Sequence, residues 1–401
     1  MARIILTTPG YFDGARLHGN GPYCLDIADG VIHRIVRGAP PGPREGVERF
    51  DAGFVMPGLV EAHCHLFLDG GELNFSARAA ALKAGPEAMA RIARRNVEAL
   101  RRAGVTLIRD AGDRFGVNHR MRAEVRQTGG PTIRSAGAGL RRPKRYGGFM
   151  AREVAHDEEI DDLVAEIAQD ADDLKIILTG IIDFAAGVVR GAPQFDAPAL
   201  ARIVAAARRH GLASFAHCSG REGLAVAVAA GVGSIEHGFF MSRDILEVMA
   251  ERQIGWTPTV SPVHVQWAHP EAAGWDAATL DNLRRILDRH REHMALAHER
   301  GVPLIAGSDA GSHGVIHGRA LIDELFFMIE AGLPMAAVLA ATTTTPRRLW
   351  GAAPADIVAG GRAEMLALAG SPFEDAGFLR RPLAIIGETV SPVAGLPAPL
   401  L

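Results

Sequence analysis

Between Met56 and about Trp350, short apolar runs rich in β-formers alternate with longer Ala-rich stretches that carry charges at helical spacing. This is the rhythm of parallel βα units. Eight runs read as strands: Leu59–His65, Val105–Asp110, Thr132–Ala136, Leu174–Leu178, Ala213–His217, Ser234–Glu236, Ile254–Thr257 and Pro303–Ser308. The intervening stretches, such as Ala88–Arg102, Ala197–His210 and Asp276–Arg300, read as helices. Eight such units predict an α/β fold, a (β/α)8 TIM barrel over residues 57–350, with a doubly wound sheet as the runner-up. The flanks have a different texture. Ile4 to Asp51 carries short β runs broken by Asp13-Gly14, Asp29-Gly30 and the Pro-rich Ala39–Pro43, and Glu364–Leu368 and Leu383–Gly387 return to that style. Residues 1–56 and 351–401 are therefore expected to form one small β-sandwich domain from both termini.

A length of 401 residues suits one large domain with a small companion. With 48% hydrophobic and 22% charged residues the chain is of ordinary globular type. A net charge of -3 supplies no field that would draw it to nucleic acid or an acidic membrane. The one basic cluster, Arg141-Arg142-Pro143-Lys144-Arg145, has no interleaved aromatics before Tyr146. Three separated cysteines, Cys24, Cys64 and Cys218, argue against a disulfide framework. The opening residues 1–14 lack the pattern of a signal peptide, and no apolar stretch reaches the roughly 20 residues of a membrane span. A cytoplasmic protein is expected, with a small molecule and further copies of the same chain as partners, and with no nucleic acid and no membrane.

The chemistry gathers at the ends of the predicted strands. His63-Cys64-His65 closes the first, and alternation puts both imidazoles on one face. Lys175 lies within the fourth, where a buried amine is costly unless neutralised or paired. His217 ends the fifth strand, His237 follows the sixth and Asp309 ends the eighth. Each has a bland reading alone: a chance His-x-His, a lysine reaching for solvent, satisfied core histidines, a helix-capping aspartate. Jointly they fall at six places that surround one barrel mouth, where active sites of this fold are built. Cys218 and Glu236, neighbours of His217 and His237, are expected to point away by alternation.

At these residues the sequence resembles the amidohydrolase superfamily, from Phe12-Asp13-Gly14 and Met56-Pro57-Gly58 through His63-Cys64-His65 to Gly307-Ser308-Asp309-Ala310-Gly311. Leu174-Lys175-Ile176, Ala216-His217-Cys218 and Ile235-Glu236-His237-Gly238 are similar to its binuclear prolidase and Xaa-Arg dipeptidase branch. The resemblance implies a metal-dependent hydrolase with two divalent cations, zinc being expected. It also implies a carbamate on Lys175, made from CO2, as the bridging ligand, with Asp309 as ligand and acid/base. Two positions depart from the family pattern: Glu61 stands where many members have Asp, with consequences expected for the support of His63 or His65, and Glu364 stands for Asp, expected to concern only the small domain.

Two cations bring four positive charges, and Asp309, the carbamate and a hydroxide remove three. The remainder can polarise a carbonyl while the cations activate water. For the substrate, Arg141, Arg145 and Tyr146 are read as a carboxylate clamp, against the alternative of a solvated loop. His313 and His317 are expected to overhang the mouth, as helix caps or as donors to an anionic group. The expected reaction is cleavage of a C–N bond in a dipeptide or N-acyl amino acid. A deaminase or a lactone or ester hydrolase on the same scaffold is the alternative.

Overall fold

The computed structural model describes residues 3–393 and 396. Met1, Ala2 and residues 394–395 and 397–401, which the sequence pattern assigns to the small β domain, lie outside the described residues. Seven of the eight expected runs form strands: Leu59–Cys64, Val105–Asp110, Thr132–Ser135, Asp173–Ile177, Ala213–Cys218, Ser234–His237 and Gly255–Thr257. The first three pair in parallel, as do the fourth through seventh. A short strand, Gly139–Arg141, flanks the fourth.

The expected closed barrel is met only in part. The two ladders are joined by isolated bonds: Asp172 N–H donates to Ser135 O at 2.8 Å on one side. On the other side the eighth run, 303–308, is not a regular strand. Ile305 N–H donates to Trp256 O at 2.8 Å, and Ala62 N–H donates to Ala306 O at 3.2 Å, so it lies between the seventh and first strands without a ladder. The cause is local, because Pro303 has no N–H to give and the run ends at Gly307 and at Asp309, whose φ is +53°.

Pleating sorts each strand into two faces. Leu174, Ile176, Ala216, Cys218 and Ile235 belong to the main apolar core, while Arg109, Lys175, Phe215 and Glu236 are also fully buried but lie together on the strands' other face. Helices Pro86–Arg102, Ala197–Arg209 and Ala277–Arg300 occur close to the expected ranges. Asp196 and Asp276 cap the last two, accepting from Ala199 N at 2.9 Å and Thr279 N at 2.8 Å, and satisfy amides that no helical carbonyl reaches.

Residues from both ends of the chain build two further sheets. One orders Val31–Arg37, Tyr23–Ala28, Arg3–Thr8 and Val47–Asp51; the other joins Phe54–Pro57 to Met365–Leu368, Pro382–Ile386 and Val390–Pro392. Ile4, Leu6, Leu25, Ile27, Met365 and Ile386 share an apolar cluster there. Among the described residues, no helix is long and apolar enough to cross a membrane.

Candidate metal centre

His63, Lys175 and His217 sit on strands, where the pleat turns them inward, and His65, His237 and Asp309 stand where strands give way to loops. His237 (φ +70°) and Asp309 (φ +53°) adopt left-handed backbone, which a non-glycine residue enters at a cost of roughly 1–3 kcal/mol. Asp309 is held there by its N–H, which donates to His63 O at 2.6 Å. The kink at His237 breaks the alternation. It lets His237 reach the side that Glu236 already faces by regular alternation, so Glu236, expected to point away, faces the interior: its Oε2 lies 2.6 Å from His63 Nδ1. Cys218 packs in the outer apolar core.

The six residues converge. Lys175 Nζ is 3.3 Å from His63 Nε2, and Asp309 Oδ1 is 3.6 Å and 3.5 Å from the Nε2 atoms of His63 and His65. His63, His65 and Asp309 bring ligand atoms within 4.8 Å of one another. His217 Nδ1 is 2.8 Å from His237 Nε2, and the His63 and His237 ring centroids are 5.1 Å apart.

Each imidazole gives one nitrogen to the protein and turns the other inward. His63 Nδ1 meets Glu236; His65 Nδ1 donates to Gly112 O at 3.3 Å; His217 Nε2 faces Gly180 O at 3.4 Å. His237 Nδ1 donates to Thr259 Oγ1 at 2.7 Å, whose own hydroxyl donates to Pro258 O. This is how ring orientation and tautomer are fixed in histidines that ligate metals.

Burial keeps the rings neutral, hence able to ligate: His65 and His217 are pulled down to about 3 and His63 and His237 well below their ordinary value. It also lowers Lys175 to about 8, against the opposing charges of Glu236 and Asp309, and lifts Asp309 to about 6, against Lys175. Four neutral imidazoles, a carboxylate and an amine whose burial brings it closer to its neutral form make a donor set suited to divalent cations.

The residues expected to touch substrate are placed unevenly. Tyr146 is at the centre, its ring 5.3 Å from that of His217, and burial together with Asp309 raises its phenol. Arg141 is 8% exposed and spends its donors on Arg142 O, Arg145 O and Glu153. These contacts turn its Nη1 and Nη2 into the loop, where a tightly bent chain leaves carbonyls that need donors, while its Nε has no hydrogen-bond partner among the described residues. Exposed Arg145 donates to Ala192 O. His313 donates to Leu73 O at 3.0 Å, accepts from Gln266 at 3.3 Å and stacks on Phe75. Neither His313 nor His317 caps the next helix, whose cap is Gly318. His317 is buried, with no hydrogen-bond partner for its ring among the described residues.

Glu61 does not reach the imidazoles; it accepts from His63 N at 3.1 Å, Ser308 N at 2.9 Å and Ser308 Oγ at 2.6 Å, tying the first strand to the eighth run. Glu364, expected to concern only the small domain, pairs with Arg347 on helix Thr344–Trp350 of the βα region. Glu236 and Arg109 had no assigned role in the sequence. Arg109 carried a usable signal, a charged residue inside an apolar strand, of the kind that singled out Lys175.

Residues 54–366 match the amidohydrolase family. The chain belongs to that family and is a hydrolase acting on carbon–nitrogen bonds, and divalent metals are in general use there. It is 30% identical over 348 residues to an uncharacterized protein of Mycobacterium tuberculosis, covering 86% of this chain and 87% of that one. It is 26% identical to the ochratoxinase of Aspergillus niger, covering 82% and 73% of the two chains. A solved Xaa-Pro dipeptidase, with methionine bound in its active site, has the same fold, with a TM-score of 0.82 at 22% identity over 98% of this chain and all of that one.

Proposed function

We propose that the protein is a binuclear metal-dependent amidohydrolase that cleaves a C–N bond in a small substrate of the dipeptide or N-acyl amino acid type. In this reading His63, His65 and Asp309 would hold one cation and His217 and His237 the other, and Lys175, carrying a carbamate, would supply oxygen donors to both. Nitrogen and oxygen donors suit zinc. Bound cations of this kind polarise a carbonyl and make water acidic enough to attack at neutral pH. The protein's own part is positional and protolytic. Asp309, its Oδ2 accepting from Ser312 Oγ at 3.0 Å, takes the proton of the attacking water and delivers it to the leaving nitrogen. Tyr146 lines the substrate side beside His217, and a substrate carboxylate is met by exposed Arg145 rather than by Arg141.

The observation that carries this reading is the position of Lys175, which is 1% exposed and 3.3 Å from His63 Nε2. Deaminases on this scaffold usually need one cation and no carbamate, so the lysine favours the binuclear hydrolase. The names of the ochratoxinase and Xaa-Pro dipeptidase relatives agree with an amide-cleaving reaction. The test is metal content per chain after loading in bicarbonate, together with turnover of dipeptides and N-acyl amino acids. Two metals per chain and C–N hydrolysis are expected, with Asp309→Asn keeping the metals and losing nearly all turnover. One metal per chain, or an active Asp309→Asn variant, overturns the assignment.

A further inference from the structure

Beneath the six residues lies a pair of opposite charges that the proposed reaction does not use. Glu236 and Arg109 are 0% and 1% exposed, on the sixth and second strands. Glu236 Oε1 accepts from Arg109 Nη2 at 3.0 Å and from Ser234 Oγ at 2.6 Å, while Oε2 faces His63 Nδ1 at 2.6 Å. Arg109 is itself pinned: its Nε donates to Ala62 O at 2.9 Å, one residue before His63. Its guanidinium lies 4.1 Å from the centroid of Phe215 and 4.3 Å from that of Trp350.

A guanidinium only donates, and Ser234 Oγ has Glu236 as its acceptor, so Oε1 receives two donors and the carboxylate has no proton to give at that end. Its remaining oxygen meets one imidazole nitrogen, and the short contact is that of a charge-assisted bond in which Nδ1–H donates. If Nδ1 carries the proton, Nε2 carries the lone pair, and Nε2 is the atom near Lys175 and Asp309. Hydrophobic residues would stabilise a barrel floor as well as a buried ion pair does, so packing alone gives no reason for this one.

We infer that Arg109 and Glu236 are positioning residues that lock His63 as its Nδ1–H tautomer and aim its Nε2 lone pair at the metal centre, Arg109 acting through Glu236. The inference rests on the proposed metal site, but its first readout needs no metal. In the full-length, metal-free protein with ¹⁵N-labelled histidine, His63 is expected to show a strongly downfield Nδ1 proton. Glu236→Gln should move this signal upfield. Competition with a chelator should then show zinc affinity reduced 10–100-fold in Glu236→Gln.

A single charge left in the interior can prevent folding, so the paired variant Arg109→Met/Glu236→Gln, which leaves neither charge behind, is measured alongside. It is expected to fold and still show the weakened zinc affinity. A proton on Nε2 of His63 in the wild type, or unchanged zinc affinity in the folded double variant, overturns the positioning role. A downfield Nδ1 proton in a wild type that takes up no zinc supports the lock on His63 and sinks the metal-centre reading instead.

Discussion

Glu324 is a carboxyl group placed where water cannot reach it, and its removal has a magnitude that follows from its partners. The residue is 1% exposed on helix Arg319–Glu330. It accepts from Val260 N at 3.0 Å, from Ser261 N at 2.6 Å and from Ser261 Oγ at 2.6 Å, so it caps helix Ser261–Ala268 from a different helix. In Glu324→Ala the serine hydroxyl can turn elsewhere, but the two amides cannot. An unsatisfied buried donor costs about 1–3 kcal/mol, so the variant should lose about 2–6 kcal/mol in urea denaturation. Val260 adjoins Thr259, the partner of His237, so metal affinity should fall with it.

The pH dependence has a definite sign. Burial raises the Glu324 carboxyl from 4.5 to about 8, in spite of the donors around it. The folded state therefore binds the proton more tightly than the unfolded chain. The stability this provides is complete below about pH 4.5 and is lost as pH rises through about 8. Glu61 and Asp110, each raised to about 7 by burial, titrate in the same range. The informative quantity is thus the wild-type curve minus that of Glu324→Gln, which should fall from pH 5 to pH 8. A flat difference, or an Ala variant that loses under about 1 kcal/mol, refutes the reasoning.

Gly307→Ala should impair folding and metal uptake together, since an added Cβ would stand 2.9 Å from His63 N and 2.7 Å from Thr257 Cγ2; thermal unfolding and metal content report it, and an unperturbed variant contradicts the packing. Thr259→Val keeps the shape but removes the hydroxyl beside His237 Nδ1, and a loss of about 10-fold or more in metal affinity by chelator competition is expected. Arg141→Ala should lower the urea midpoint while KM keeps the same ratio between carboxylate-bearing and amidated substrates, because its donors serve the loop; a selective rise in KM for the carboxylates would restore the clamp.

The sequence by itself determined the order of strands and helices and the six residues that meet at the centre. Both follow from short-range physics: period-2 and period-3.6 burial marks the elements, and ligand types at strand ends stand out against an apolar background. Lys175 was legible for that reason. Tertiary structure decided what depends on contacts between distant segments. The barrel's incomplete ladder comes from Pro303 and Gly307 meeting the first and seventh strands, and the inward place of His237, one residue after inward Glu236, from a left-handed backbone that strand alternation cannot foresee. Arg141 went to its own loop's carbonyls, a competition between partners that a linear pattern of charges does not express.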